Sequence, residues 1–193
     1  SGGRTIGKTV AQRLSIPYYD KELVKQVALE SGFDPKFIEE QGEFAPSKNR
    51  FAYAFLGRGV PGAMGGMSAS DFLWTIQYRV IRDLADKGPC VIVGRCADYI
   101  LRDDPRRLSV FVHAPLDERV RRAREEYGVQ EPNLEAYVLR QDRARASYYN
   151  YFATGKWGQS REYDLCVSSH MGIDAAVATI KAAALAVAGG TGA

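Results

Sequence analysis

Cys90-Val91-Ile92-Val93 runs straight into Gly94-Arg95, and that junction narrows the fold more than any composition figure. Four apolar residues without alternation suit a strand buried on both faces, the situation of a strand inside a parallel sheet. Leu108–His113 and Asp164–Val167 are predicted as two further strands of that type. Helical patterns separate them at Asp98–Leu101, Leu116–Tyr127, Pro132–Phe152 and Ile173–Val187. Ser70–Asp86 reads as a long helix, with Phe72, Leu73, Ile76, Val80 and Leu84 at helical spacing. Strands alternating with helices predict an α/β fold around a parallel sheet. In such sheets a ligand sits at the carboxyl ends of the strands, which is where Gly94-Arg95 falls.

The early chain carries a second constraint. Gly2-Gly3-Arg4-Thr5-Ile6-Gly7-Lys8-Thr9 spells G-x-x-x-x-G-K-[ST], followed by the helix-like segment Thr9–Leu14. As a phosphate loop, its glycines let backbone N–H groups wrap a polyphosphate, and the next helix offers its positive end to the same anion. Lys8 would reach the β and γ phosphates, and the Thr9 hydroxyl would hold Mg²⁺. The plainer alternative is a glycine-rich tail. Ile16–Asp20 is predicted extended because Pro17 blocks a helix. Lys21–Ser31 reads as an amphipathic helix stopped by Gly32, and Asp34-Pro35 opens another. Phe44–Ser70 is glycine-rich and irregular, as expected of a mobile substrate-side loop within an acceptor-side region of about residues 33–70.

At 193 residues the chain is expected to form a single domain over 1–193. A net charge of +3 argues against general nucleic-acid affinity. Arginines are nevertheless dense between Arg95 and Arg145, a pattern that suits a small anionic ligand. Cys90, Cys96 and Cys166 show no metal-like spacing. Cys90 and Cys166 are expected as buried free thiols, and a reducing cytoplasm is the default location. No apolar run approaches membrane-spanning length and no signal peptide is visible, so no membrane partner is expected.

Arg95 is the first site candidate, since a guanidinium at the strand end can grip a phosphate in bidentate fashion. The structural alternative is an ion pair with Asp98 or Asp103. On the helix after His113, Arg119 lies nearest the strand end and is the candidate ligand, while Arg121, Arg122 and Arg124 are expected on the wet surface. His113 is expected to be structural. Arg140, Asp142, Arg143 and Arg145 cluster on one helix, either as a surface ion-pair group or as a lid over a phosphoryl group in transfer. The aromatic run Tyr148–Phe152 is expected to pack; base stacking and dimerisation through it are open alternatives.

Taken together these segments resemble the cytidylate kinase-like family, a branch of the P-loop nucleoside monophosphate kinases. The resemblance rests on Gly2–Lys8, Ile16–Leu23, Val91–Leu101, Val112–Arg119, Ala144–Tyr149, Gly155–Gly158 and Tyr163–Leu165. It implies a P-loop kinase-like three-layer α/β/α fold with a parallel sheet, a nucleoside monophosphate-binding segment and a lid near residues 128–160. It implies ATP and Mg²⁺ on Gly2–Thr9, and nucleotide small molecules as partners. The acceptor would be a CMP-like or dCMP-like monophosphate touched by Asp20, Arg95, Asp98 and Arg119. Lys8, Asp142, Arg143 and Arg145 would then act on the transferring group. Gly94-Arg95 matches the start of the family's Gly-Arg-Asp run, with Cys96 where Asp is expected. Asp142-x-x-Arg145 matches half of the lid pattern, whose earlier arginine falls near Val138. When the following helices are aligned the glycine loop is spaced differently, so Arg4 can share the role given to Lys8. The rivals are a P-loop kinase for another small acceptor and a nucleotide-sensing domain without turnover.

Overall fold

The computed structural model describes residues 1–20, 23, 26, 29 and 69–190. Expectations for the rest of 21–68, the acceptor-side loop included, lie outside the described residues.

The first helix, α1 (Gly3–Leu14), starts six residues earlier than the phosphate-loop motif predicts. Ile6 and Val10 are buried four residues apart, with Ala11 beside them, and this helical stripe draws the whole segment into the core. Residues Gly3 to Thr9 therefore do not form an extended glycine loop. Gly2 caps the helix in the left-handed region (φ 78°), and Ser15 (φ 54°) closes it. Pro17 then enforces the switch to β1 (Tyr18–Tyr19).

Helix α2 (Ala69–Asp86) precedes β2 (Val91–Ile92), and the short α3 (Ala97–Ile100) follows at once. Then come β3 (Val110–His113), α4 (Leu116–Glu125) and α5 (Leu134–Phe152). Asn133 sets the start of α5, its side-chain oxygen accepting a bond from the Ala136 N–H at 2.9 Å. Strand β4 (Leu165–Ser168) and α6 (Ile173–Gly190) complete the described chain.

Both strand pairings are parallel, as the apolar runs require. β1 pairs with β2 (Tyr18↔Val91, Tyr19↔Ile92), and β3 pairs with β4 (Val110↔Leu165 through His113↔Ser168). Among the described residues they form two separate two-stranded sheets rather than one continuous sheet. A cleft of about 1300 Å³ lies between them, with Val91 and Val93 on one wall and Val110 and Val112 on the other.

The core follows the same division. Ile76, Val80, Ile81 and Leu84 of α2 pack on Ala97 and Ile100 of α3. Ile6 and Val10 of α1 pack on Val167 of β4 and on Ala176, Val177 and Ile180 of α6. Side chains as completely buried as Val80, Ile81 and Ile100 each contribute roughly 1.5–3 kcal/mol. By length and composition α6 could cross a membrane, contrary to the sequence expectation, and 17% of that window is buried. The thiols are also redistributed: Cys96 is buried, Cys90 half-buried and Cys166 exposed, because the strand carrying Cys166 turns that side outward.

Candidate active site

Helix α1 delivers its positive end to the cleft. Its first main-chain bond runs from Ile6 N–H to the Gly2 carbonyl at 2.9 Å, leaving the N–H groups of Gly3, Arg4 and Thr5 outside the helical ladder. Nε of Arg4 stands 2.8 Å from Oδ2 of Asp20, a buried carboxylate just past β1. Burial, and then the Asp20 charge, pushes the neighbouring Tyr18 phenol up to about 12.

Under this helix start lies Arg122, 4% exposed, against the expectation of a solvated residue. It donates to Glu126 Oε1 at 3.1 Å and to Ser169 Oγ at 3.2 Å. A Cβ on Gly2 would stand 2.9 Å from its Nη1, and the left-handed φ of 78° favours glycine there. The start of α1 thus carries the positive end of the helix with a buried guanidinium beneath it.

The strand end after β2 is the most strained backbone described. Gly94, Arg95 and Cys96 are all left-handed, with φ of 75°, 62° and 52°. For the two residues that carry a Cβ this conformation costs about 1–2 kcal/mol each. Such strain persists where surrounding contacts impose it, and it concentrates at functional sites. Nη1 of Arg95 is buried and, among the described residues, has no hydrogen-bond partner. The backbone carbonyl of Arg95 accepts a 2.9 Å bond from the side chain of Gln77. Asp98, two residues past the turn, accepts the Tyr149 hydroxyl at 2.7 Å. Burial raises the Asp98 carboxyl above the usual range, while the Tyr149 bond opposes that rise. Tyr149 in turn is pushed far up, by burial and then by Asp98.

Asp142 on α5 joins the third group. Arg119 of α4 donates to its Oδ2, and Arg145 Nη1 lies 3.9 Å from its Oδ1. Arg119 and Asp142 are each about one-fifth exposed, so this link is shielded better than a surface pair.

Of the residues expected at the site, Gly2, Gly3, Arg4, Ile6, Gly7, Asp20, Arg95 and Asp98 reach the cleft wall, and Thr5 does not. Arg119, Asp142 and Arg145 reach it as well. Lys8 is exposed on the second turn of α1, away from that wall. Thr9 donates its hydroxyl to the Thr5 carbonyl at 2.9 Å, which engages the group expected to hold the metal. Gly7 touches β2 instead of an anion: a Cβ there would meet Val93 Cγ2 at 2.8 Å. Arg143 is exposed and absent from the wall, because α5 turns the Asp142–Arg145 face inward. Neither Asp98 nor Asp103 is the ion-pair partner of Arg95; Asp103 pairs with Arg102 at 3.6 Å. His113 is exposed at the end of β3 rather than packed within the structure. Gln77, Arg122 and Tyr149 were not legible as site neighbours, since each depends on contacts between distant segments.

The protein is of the mixed α/β class, with a helix start bearing open N–H groups set against arginines from three further segments. The model of the cytidylate kinase-like family matches residues 1–171, and the chain belongs to that family. It is also similar to the crystal structure of an uncharacterized protein from Eubacterium ventriosum ATCC 27560. The two share 30% identity with a TM-score of 0.67, over 93% of this chain and 89% of that one. No curated protein matches the chain.

Proposed function

We propose that the protein transfers the γ-phosphoryl group of ATP to a nucleoside monophosphate of the CMP or dCMP type, on a P-loop kinase-like three-layer scaffold. The observation that carries this reading is the convergence of the α1 start, Arg95 and the Arg119–Asp142–Arg145 group on one cleft. In the reaction an oxygen of the acceptor phosphate forms a new bond to the γ phosphorus, the bond to the ADP oxygen breaks, and ADP leaves. Little covalent help is required, so positioning and charge neutralisation dominate.

The N–H groups of Gly3, Arg4 and Thr5 would hold the donor phosphates, with Arg4 in the role the motif assigns to Lys8. Arg95 would take the acceptor phosphate through its Nη1, which has no partner among the described residues. Arg119 and Arg145 would face the transferring group, which would compete with Asp142 for their guanidinium groups. Mg²⁺ would be bound chiefly through the phosphate oxygens, with few protein ligands. Thr5, in the first turn of α1, supplies the hydroxyl nearest the helix start. When bound, Mg²⁺ neutralises phosphate charge. The reducing cytoplasm is the proposed location.

Purified protein incubated with ATP·Mg²⁺ and each of CMP, dCMP, UMP, AMP, GMP and a non-nucleotide acceptor should form ADP with a pyrimidine monophosphate. ADP with the non-nucleotide acceptor alone would overturn the acceptor assignment. One observation favours a nucleotide-sensing domain: Val138, near the expected lid arginine, is buried with Ala123 and Leu134. Saturable ATP binding without ADP under any acceptor would establish that second reading.

A further inference from the structure

Gln77 is a buried amide on a helix whose neighbouring inward residues, Ile76, Val80 and Ile81, are apolar. A carboxamide in such a place is costly unless its polar atoms are bonded. Its Nε2 donates to the Arg95 carbonyl at 2.9 Å. Its Oε1 lies 3.5 Å from the hydroxyl of Tyr148 on α5, the helix that carries Asp142 and Arg145. Gln77 therefore reaches the middle residue of three successive left-handed residues.

Arg95 has two features that need external support. Its φ of 62° is unfavourable for a residue with a side chain, and its Nη1 is buried without a partner among the described residues. A guanidinium so placed gains from an arriving anion, provided the backbone keeps it aimed before the anion arrives. The Gln77 bond acts on that backbone. It does not touch the guanidinium, and the Gln77 side chain itself lies off the cleft wall that Arg95 lines.

We propose that Gln77 is the positioning residue that holds Arg95 in its left-handed, phosphate-ready conformation, and that Tyr148 ties this hold to the helix bearing Asp142 and Arg145. The kinetic part of this inference rests on the acceptor role given to Arg95 above; the conformational part does not.

Gln77→Met keeps the unbranched shape and helix preference but removes the donor. Crystal structures of the parent protein and of Gln77→Met give the Arg95 φ directly, and titration with inorganic phosphate gives anion affinity without turnover. The expected result is that φ leaves the left-handed region and phosphate binding weakens about tenfold, the usual effect of losing one buried hydrogen bond. ATP binding should stay within about twofold, because α1 is untouched. In turnover, the acceptor KM should rise while kcat falls less, and Tyr148→Phe should give a smaller shift in the same direction. Should Gln77→Met fail to fold, Tyr148→Phe, which frees the other end of the amide and leaves Gln77 in place, carries the same readouts. An unchanged Arg95 φ with unchanged phosphate affinity overturns the inference, whether or not the protein proves to be a kinase. Equal loss of phosphate and ATP binding also overturns it, since that marks a general structural defect.

Discussion

Gly7→Ala separates two explanations of the same glycine. In a phosphate loop, Gly7 lets backbone approach an anion, and a methyl group there obstructs ATP. In the structure, Gly7 lies inside α1, and the added Cβ would stand 2.8 Å from Val93 Cγ2 and 3.5 Å from Tyr18 Cε2 and Val91 Cγ1. Replacing an interior helical glycine by alanine favours the helix by about 1 kcal/mol. Overpacking opposes this by roughly 1–3 kcal/mol. Val93 is stiff at χ1 and cannot swing its Cγ2 aside freely, so the upper half of that range applies. The net expectation is a loss of about 1–2 kcal/mol, which lowers Tm by roughly 2–8 °C for a chain of this size. Thermal and urea unfolding measure the loss, and ATP titration of the folded variant should give an unchanged Kd. Val93→Ala in the same chain removes the obstructing methyl groups, so the double variant should lose less stability than the two single losses summed. A Tm that rises, or an ATP affinity that falls tenfold at unchanged Tm, would refute the packing argument.

The remaining predictions concern charge. Arg4→Gln should weaken ATP binding about tenfold, while Lys8→Gln should change it less than about twofold; isothermal titration of both decides between the motif and the helix geometry. Arg95→Ala should raise the acceptor KM by about tenfold to a hundredfold and leave ATP affinity nearly intact, and equal loss of both would place Arg95 elsewhere. Tyr149→Phe should destabilise the fold by about 1 kcal/mol at neutral pH and by less near pH 4. The Asp98 carboxyl lies above its ordinary range when folded, so the folded protein keeps that proton longer, and stability falls as pH rises through the interval between the two values. Loss of the opposing Tyr149 bond widens the interval, and urea melts at the two pH values should show a steeper decline than in the parent protein.

The parallel strands and long helices were legible because their residues report local periodicity. Val91-Ile92 and Val110–His113 are apolar enough to be strands wherever the chain places them, and α5 ended where predicted, at Phe152. The early helix was misjudged for a definite reason. The motif is spelled by Gly7, Lys8 and Thr9, whereas the geometry is fixed by Ile6 and Val10, whose burial requires a helix running through those letters. The pattern matched a phosphate loop in sequence while the apolar stripe moved the open N–H groups of the helix start four residues earlier, to Gly3, Arg4 and Thr5.

The arginines show where sequence runs out. Arg119 and Arg122 lie three apart on α4, one helical neighbour from each other, and nothing in their spacing separates a ligand from a strut. The difference arises from what each meets. Arg122 turns under Gly2 and is satisfied by Glu126 and Ser169, so its charge is fixed in place and already bonded. Arg119 meets Asp142, an acid that Arg145 also approaches, and all three side chains keep some contact with solvent. A carboxylate shared between two guanidinium groups balances only part of their charge. The excess is directed at the same space as the open N–H groups of α1. The buried arginine thus supports the backbone at the start of α1 while Asp142 is shared between the other two, a difference set by tertiary contacts that no local pattern encodes.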